Sequence, residues 1–196
     1  MPRTLRVWRF TGGRAGHEKQ SAGLVQGLRE SLPETVGADS SIECRDIPVA
    51  EFSRDLSQLW QDPGAAPDLL IGAGRRTHLP MARVRWHLGS RTVCLMRSTL
   101  PRFCYDLALV PEHDRLWSER KVLRTLGALG PSIPGAPSAE CGLILLGGEN
   151  DHFDWSDEEV CASVAAIVAQ NPRVHWQISD SPRSSKNLIS AVDRAL

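Results

Sequence analysis

The most constraining feature of this sequence is a glycine turn that joins a strand-like segment to a helix-like segment. Residues 5–10 are apolar and aromatic with interspersed arginines, which predicts a short strand ending at Thr11. From about His17 the apolar residues recur at helical spacing, and Pro33 is predicted to end this helix. A strand, a glycine turn and a helix open a βαβ unit, so an α/β protein with a parallel sheet is expected.

The same alternation continues along the chain and predicts two α/β units. Further strands are predicted at 41–47, 68–72, 91–96, 107–110, 122–126, 141–146 and 174–178. Further helices are predicted at 52–60, 79–86 with Pro80 in the first turn, 156–170 with Ser156 as the N-cap, and 190–196. Residues 130–138 hold three prolines and two glycines, which makes 131–138 the best linker. The prediction is therefore a Rossmann-like domain over 1–130 and the beginning of a second such domain over 139–196.

Composition narrows the class of protein. The formal net charge is zero, which argues against a nucleic-acid binder that depends on overall positive charge. The five cysteines are an odd number without C-x-x-C spacing, so reduced thiols in a cytoplasmic protein are expected. The N-terminus has no signal-peptide pattern, and no apolar window is long enough to span a bilayer. A peripheral contact with the inner face of a membrane stays open.

The first glycine turn is a candidate ligand site. Glycines let a ligand approach the backbone, the following helix N-terminus attracts anions, and a histidine can act as a base near neutral pH. The alternative is a tight turn whose glycines serve geometry alone. The spacing is neither a Walker loop nor the dinucleotide fingerprint. The candidate residues are Gly12, Gly13, Arg14, Gly16, His17, Glu18 and Gln20.

Four further polar loops follow predicted strands, at the edge where open α/β sheets bind ligands. Each could equally be a solvated turn. Arginines after strands suit a carboxylate or phosphate, and a Glu-His-Asp run suits acid–base chemistry better than one metal site. The candidates in the first unit are Gly74, Arg75, Arg76, Thr77, Arg97, Glu112, His113 and Asp114. The candidates for a donor phosphate in the second unit are Gly147, Gly148, Ser179, Ser181 and Arg183.

The six tryptophans are scattered along the chain and show no stripe at a fixed spacing. They are therefore interpreted as core and rim packing residues and not as a stacking platform. Their positions are Trp8, Trp60, Trp86, Trp117, Trp155 and Trp176.

Several stretches together resemble a known family. These are TGGRAGHEKQSAGLVQGL, DLLIGAGRRTHLP, FCYDLALVPEHD, LILLGGEN and HWQISDSPRSS. The chain is similar, over nearly its whole length, to the plant "elongated mitochondria" fission factor and its bacterial homologues, which carry a predicted nucleoside-diphosphate-sugar epimerase label. Ser181-Pro182-Arg183 departs from the Ser-Arg-Arg-Thr of the family. Family members are longer than this chain, so the second domain is expected to be truncated.

The resemblance implies a glycosyltransferase-B-like fold with an acceptor-type first domain and a donor-type second domain. It implies sugar transfer from a nucleotide-sugar co-substrate to a small-molecule, glycan or lipid-linked acceptor, as in cell-envelope polysaccharide or lipid biosynthesis. No tightly bound cofactor, no metal and no nucleic acid are expected, and the oligomeric state stays open. His17 is the leading candidate base and Glu112 the second.

Two alternatives remain beside the transferase. One is a non-catalytic scaffold or partner-binding module that has lost its donor site. The other is a nucleoside-diphosphate-sugar epimerase. A nicotinamide-dependent epimerase is disfavoured because the Tyr-x-x-x-Lys pair is missing: Leu109 stands four residues after Tyr105, the only tyrosine.

Overall fold

The computed structural model describes residues 4–52, 66–114, 120–132, 135–136, 138–150 and 154–196. The chain divides into two compact units, Met1–Ile133 and Pro134–Leu196. This division falls inside the segment 131–138 that the sequence predicts as a linker.

Unit 1 is one parallel sheet with helices between its strands. Its strands and helices are β1 Thr4–Thr11, α1 Ala15–Val36, β2 Ser41–Pro48, β3 Leu69–Ala73, α2 Arg75–Leu88, β4 Arg91–Leu95, β5 Leu107–Pro111 and β6 Val122–Thr125. Short 3-10 turns occupy Val49–Glu51, Arg102–Cys104 and Glu112–Asp114. The strand order is β2-β1-β3-β4-β5-β6, and every neighbouring pair is parallel. The predicted α/β parallel-sheet class is confirmed.

Helices α1 and α2 cover opposite faces of the sheet. Val25 of α1 packs with Val7 and Ile71 on one face, and Met81 of α2 packs with Leu70 on the other. Strand order reverses here, because the chain leaves β1 toward β2 on one side and later enters β3 on the other. The carboxyl ends of β1 and β3 therefore form a topological switch point, where ligands bind in open α/β sheets.

Two proline assignments made from the sequence are wrong. Helix α1 does not end at Pro33 but continues to Val36. A helical proline removes the hydrogen bond to the fourth preceding carbonyl, and this close to the helix end few bonds are affected. Helix α2 begins at Arg75, earlier than predicted, so Pro80 lies in its interior and not in its first turn. The predicted helix 52–60 lies outside the described residues except for Phe52, which is extended.

The Asp106 carboxylate, just before β5, connects α2 to the amino end of β4. Asp106 accepts hydrogen bonds from the guanidinium groups of Arg85 and Arg91 and from the Thr92 backbone N–H, the last at 2.8 Å. Burial raises the pKa of Asp106, but these hydrogen bonds outweigh burial and lower its pKa overall. Asp106 is therefore charged at neutral pH and neutralises two arginines.

Unit 2 is a two-stranded parallel sheet covered on one face. It contains β7 Cys141–Leu145, α3 Asp157–Gln170, β8 His175–Ser179 and α4 Leu188–Ala195. A small core of Leu146, Val164, Leu188 and Val192 joins strands and helices. The predicted cap of α3 is confirmed, since the Ser156 hydroxyl accepts a hydrogen bond from the Glu159 N–H at 3.3 Å.

The tryptophans do not all serve packing. Trp8 is buried in the core of unit 1, as predicted. Trp86 on α2 is 77% exposed, so its assignment to packing is wrong. Trp60 and Trp117 lie outside the described residues. Among the described helices, none combines the length and apolar character that crossing a bilayer requires.

Candidate functional site

The first glycine turn and the start of α2 meet at the switch point of unit 1. We call residues 11–18 together with 74–77 the switch-point site. Gly13 adopts φ 77°, and its N–H donates a 2.9 Å hydrogen bond to the Glu18 carboxylate in the first turn of α1. An acidic side chain is favourable at this end of a helix. Glu18, predicted as a ligand contact, therefore holds the turn closed.

An ion pair between β1 and β2, which the sequence analysis missed, stabilises the start of α1. Arg9 of β1 and Asp46 of β2 stand opposite each other in register and form a two-pronged pair, with Arg9 Nε 2.7 Å from the carboxylate. Arg9 also donates to the Glu18 carbonyl oxygen at 3.2 Å. Arg9 is therefore a positioning residue for the start of α1. Its signal was an arginine and an aspartate at matching positions of neighbouring predicted strands.

A contact between His17 and Gly74 joins the two segments of the switch-point site, 11–18 and 74–77. The imidazole lies directly against Gly74, where an added Cβ would overlap His17 Nδ1 and Cε1. Gly74 also has φ 79° and ψ 162°, a conformation that is essentially restricted to glycine. The structure thus brings together two residues that the sequence placed in separate motifs, and it fixes the position of the candidate base.

The surroundings of His17 keep its imidazole neutral. Burial lowers the pKa of His17 below its ordinary value of 6.5, and the nearby positive charge of Arg14 lowers it further. A neutral imidazole at physiological pH can accept a proton. The chemistry expected of a general base is therefore compatible with this position.

Arginines surround the two helix N-termini. Arg14, Arg75, Arg76 and Arg97 are exposed, and Arg76 reaches back to the Gly12 carbonyl oxygen at 3.4 Å. Helix N-termini attract anions, and guanidinium groups bind carboxylates and phosphates. Met96, which precedes Arg97, has φ 71°, an uncommon value for a residue other than glycine. This edge of unit 1 is suited to an anionic ligand.

Three further candidates of the first two motifs are Thr77, Gly16 and Gln20, which differ in burial. Thr77 is fully buried, and its hydroxyl donates to the Gly74 carbonyl at 2.9 Å, so it stabilises the turn. Gly16 is exposed, and a Cβ there would meet no atom within 4 Å. Gln20 is half-buried on α1. Of these three, only Gly16 offers its backbone to a ligand.

The Glu-His-Asp run lies apart from His17. Glu112, His113 and Asp114 form a short turn after β5, and the nearest approach of His113 Nε2 to Asp114 is 3.8 Å. Strand β5 is two places from β3, which separates Glu112 from Gly74 by roughly 10 Å at ordinary strand spacing. The structure does not bring the two candidate bases together. Among the described residues, no three His, Cys, Asp or Glu side chains converge on one point.

In unit 2 the predicted phosphate-binding glycines are used for packing. A Cβ at Gly148 would overlap the Arg183 carbonyl and lie 2.5 Å from the Ser184 nitrogen. The Ser184 hydroxyl donates to the Gly147 carbonyl, and Ser184 also bonds Ser181. The loops after β7 and β8 are thus pressed together.

The charge near these loops does not favour a phosphate. A cavity of about 390 Å³ is lined by Glu149, Trp155, Asp157, Arg183 and Ser185. It carries two carboxylates and one guanidinium. Asp157 is held by hydrogen bonds from Ser185 and Trp155, which lower its pKa. Ser179, a further phosphate candidate, is exposed and donates to the neighbouring Asp180 carbonyl.

The titration of His17 tests this description. We expect a His17 pKa below 6.5, and Arg14→Gln should move it upward without fully restoring the ordinary value, because burial is the larger cause. Imidazole chemical shifts followed by NMR against pH measure both values. Arg29→Gln, an exposed change elsewhere on α1, should leave the His17 pKa in place. A His17 pKa at or above 6.5 would contradict the geometry.

The order of the two units identifies the fold class of this protein. A Rossmann-like parallel sheet followed by a second α/β unit is a glycosyltransferase-B-like fold, as predicted. Residues 15–196 match the family described as mitochondrial fission ELM1. The chain belongs to the mitochondrial fission ELM1 family.

A solved structure shows the same fold at low sequence identity. A co-structure of S. aureus MnaA with UDP is similar over 98% of this chain and 66% of that chain, with 10% identity and a TM-score of 0.52. A UDP-GlcNAc 2-epimerase from Neisseria meningitidis bound to UDP-GlcNAc aligns over 98% of this chain and 69% of that chain, with 9% identity and a TM-score of 0.45. The chain thus spans just under two thirds of the MnaA chain. Comparison with curated proteins gives no match.

Proposed function

We propose that this protein is a nucleotide-sugar-dependent glycosyltransferase whose switch-point site binds an anionic acceptor. The observation that carries the proposal is the position of the His17 imidazole, which lies against Gly74 at an edge that carries exposed arginines. Burial and the charge of Arg14 lower the pKa of His17, which favours the neutral form that a base requires. The arginines would hold the anionic group of the acceptor. His17 would take the proton from the attacking hydroxyl as that oxygen forms its bond to the sugar and the nucleoside diphosphate leaves.

The MnaA structure supports a nucleotide ligand through its fold, because it contains UDP. The fold alone supports an epimerase equally well. The basic edge of unit 1 favours the transferase, since an anionic acceptor needs a positively charged subsite of its own beside the nucleotide. Unit 2 is the expected donor side, although its cavity beside Arg183 is not basic overall.

One assay separates the three functions. The protein is incubated with uridine and guanosine diphosphate sugars, and melting temperature, nucleotide release and sugar configuration are measured. We expect stabilisation by at least one nucleotide-sugar, about 2.7 kcal/mol at a hundred times its Kd, and nucleotide release that depends on a phosphorylated or carboxylated acceptor. Epimerised sugar without acceptor-dependent release would indicate an epimerase. No stabilisation by any nucleotide-sugar would favour the scaffold.

The role of His17 is tested in the same assay. His17→Ala should lower turnover by roughly 100-fold or more, because it removes the proton acceptor. His175→Ala, an exposed histidine of β8, should retain turnover. An unchanged rate for His17→Ala would remove His17 from the mechanism while leaving nucleotide-sugar binding intact.

A further inference from the structure

Positive charge is concentrated in one segment of a chain that is neutral overall. The sequence has 23 basic and 23 acidic residues. Residues 69–105 contain no Asp, Glu or Lys, and their charged residues are Arg75, Arg76, Arg83, Arg85, Arg91, Arg97 and Arg102. This segment includes all of α2. Such an asymmetry in a neutral protein indicates a surface that meets negative charge.

Most of these arginines have no carboxylate partner among the described residues. Arg85 and Arg91 pair with Asp106. The other five are exposed, and none of them forms an ion pair with a carboxylate in the described part of the chain. The free charge is therefore presented to the outside.

The outward side of α2 alternates arginines with large apolar side chains. Arg75, Leu79, Arg83 and Trp86 follow at intervals of four, four and three residues, which places them on one stripe of the helix. Leu79 is 57% exposed and Trp86 is 77% exposed. The opposite side carries Met81 in the core. Helix α2 therefore has a second, exposed side that is both basic and apolar.

The short turn Arg102–Cys104 also combines a basic and an apolar side chain at the surface. Phe103 is 66% exposed, and its neighbour Arg102 is exposed as well. The segment that carries them is tied to α2 on both sides, by His78 Nδ1 to Thr99 Oγ1 at 3.1 Å and by the Arg85–Asp106 pair. The turn and the helix are thus held on the same face of the sheet.

We propose that this surface docks onto an anionic phospholipid bilayer. We call it the α2 face and define it as Arg75, Leu79, Arg83, Trp86, Arg102 and Phe103. Helices that lie in a membrane interface combine basic residues with Trp, Phe and Leu. The arginines would bind lipid phosphates while the apolar side chains enter the headgroup region.

The pattern fits a bilayer better than a protein or a nucleic acid. A protein interface has an apolar core within a polar rim, whereas here arginines separate the apolar side chains along the helix. A nucleic-acid surface would bind phosphates without needing exposed Leu79 and Trp86. The contact would be peripheral, and it holds whether or not the switch-point site is catalytic.

Vesicle co-sedimentation of the full chain tests the proposal. We expect binding to vesicles of phosphatidylcholine mixed with phosphatidylglycerol, weak binding to phosphatidylcholine alone, and weakening with added salt. Each arginine near an anionic surface is worth about fivefold, so Arg75→Gln with Arg83→Gln should weaken binding on the order of 25-fold. Leu79→Gln and Trp86→Ser should each weaken it without abolishing the salt dependence.

Matched controls keep the test specific. Leu126→Ser removes a side chain that is 91% exposed outside the α2 face, and Arg173→Gln removes an exposed charge of unit 2; both should bind as the unaltered chain does. All variants are at exposed positions, and unchanged melting temperatures verify their folding.

Three results would overturn the proposal. The first is equal binding to neutral and anionic vesicles. The second is equal weakening by the controls and by the α2-face variants. The third is no binding to anionic vesicles. If the chain then forms a concentration-dependent dimer that Trp86→Ser dissociates, a second copy of the chain is the occupant.

Discussion

Gly74→Ala should destabilise unit 1 and displace the imidazole of His17. The φ and ψ angles of Gly74 are nearly inaccessible to alanine, which costs about 2 kcal/mol of unfolding free energy. The new Cβ would also overlap the His17 ring and push it toward solvent. We therefore expect a lower unfolding midpoint in urea and a His17 pKa closer to 6.5.

Two comparisons separate the backbone cost from the overlap. Gly89 has φ 70° at the end of α2, and a Cβ there meets no atom within 4 Å, so Gly89→Ala should cost only about 1 kcal/mol. Combining Gly74→Ala with His17→Ala removes the overlap and keeps the backbone cost. The double variant should be less destabilised than the sum of the single variants. Strict additivity, or equal losses for Gly74→Ala and Gly89→Ala, would contradict the observed packing.

Gly148→Ala should have the largest effect on unit 2. Its Cβ would overlap the backbone carbonyl of Arg183, and backbone atoms cannot rotate away as a side chain can. Forcing the loops after β7 and β8 apart should cost about 3 kcal/mol, a large part of what so small a core can supply. Hydrogen exchange resolved by peptide should show faster exchange in unit 2 and little change in unit 1.

Gly135→Ala is the matched control for this substitution. Gly135 belongs to unit 2, and a Cβ there meets no atom within 4 Å. Its exchange pattern should equal that of the unaltered chain. If Gly148→Ala behaves in the same way, the two loops are not in the contact described.

The sequence predicts the elements of this fold well because their signals are local. A serine followed by three acidic residues marks the start of α3, and the buried run before Gly72 marks β3. The errors arise where packing overrides a local signal. Pro33 and Pro80 are helix breakers by themselves, yet both lie inside helices whose apolar sides are anchored to the sheet.

Only part of the candidate site's geometry could be predicted from the sequence. Polar loops after parallel strands indicated one edge of unit 1, and the structure brings the first two of these loops together there. The reason for Gly74, by contrast, is the ring of His17, and the reason for Gly148 is the backbone of Arg183. Both partners are distant in sequence, so spacing within one motif cannot reveal them. The α2 face went unrecognised for a different reason, since whether Trp86 is buried depends on which side of α2 meets the sheet.

The closed first turn has a consequence for how a ligand arrives. The Gly13 N–H donates a hydrogen bond to the Glu18 carboxylate, and Arg9 donates one to the Glu18 carbonyl oxygen. A ligand at this turn meets a preorganised surface and loses little free energy to ordering it. Association would then be limited by encounter and accelerated by the surrounding arginines, not by a slow rearrangement of the loop. Differences in affinity among ligands would appear mainly in how fast each one leaves.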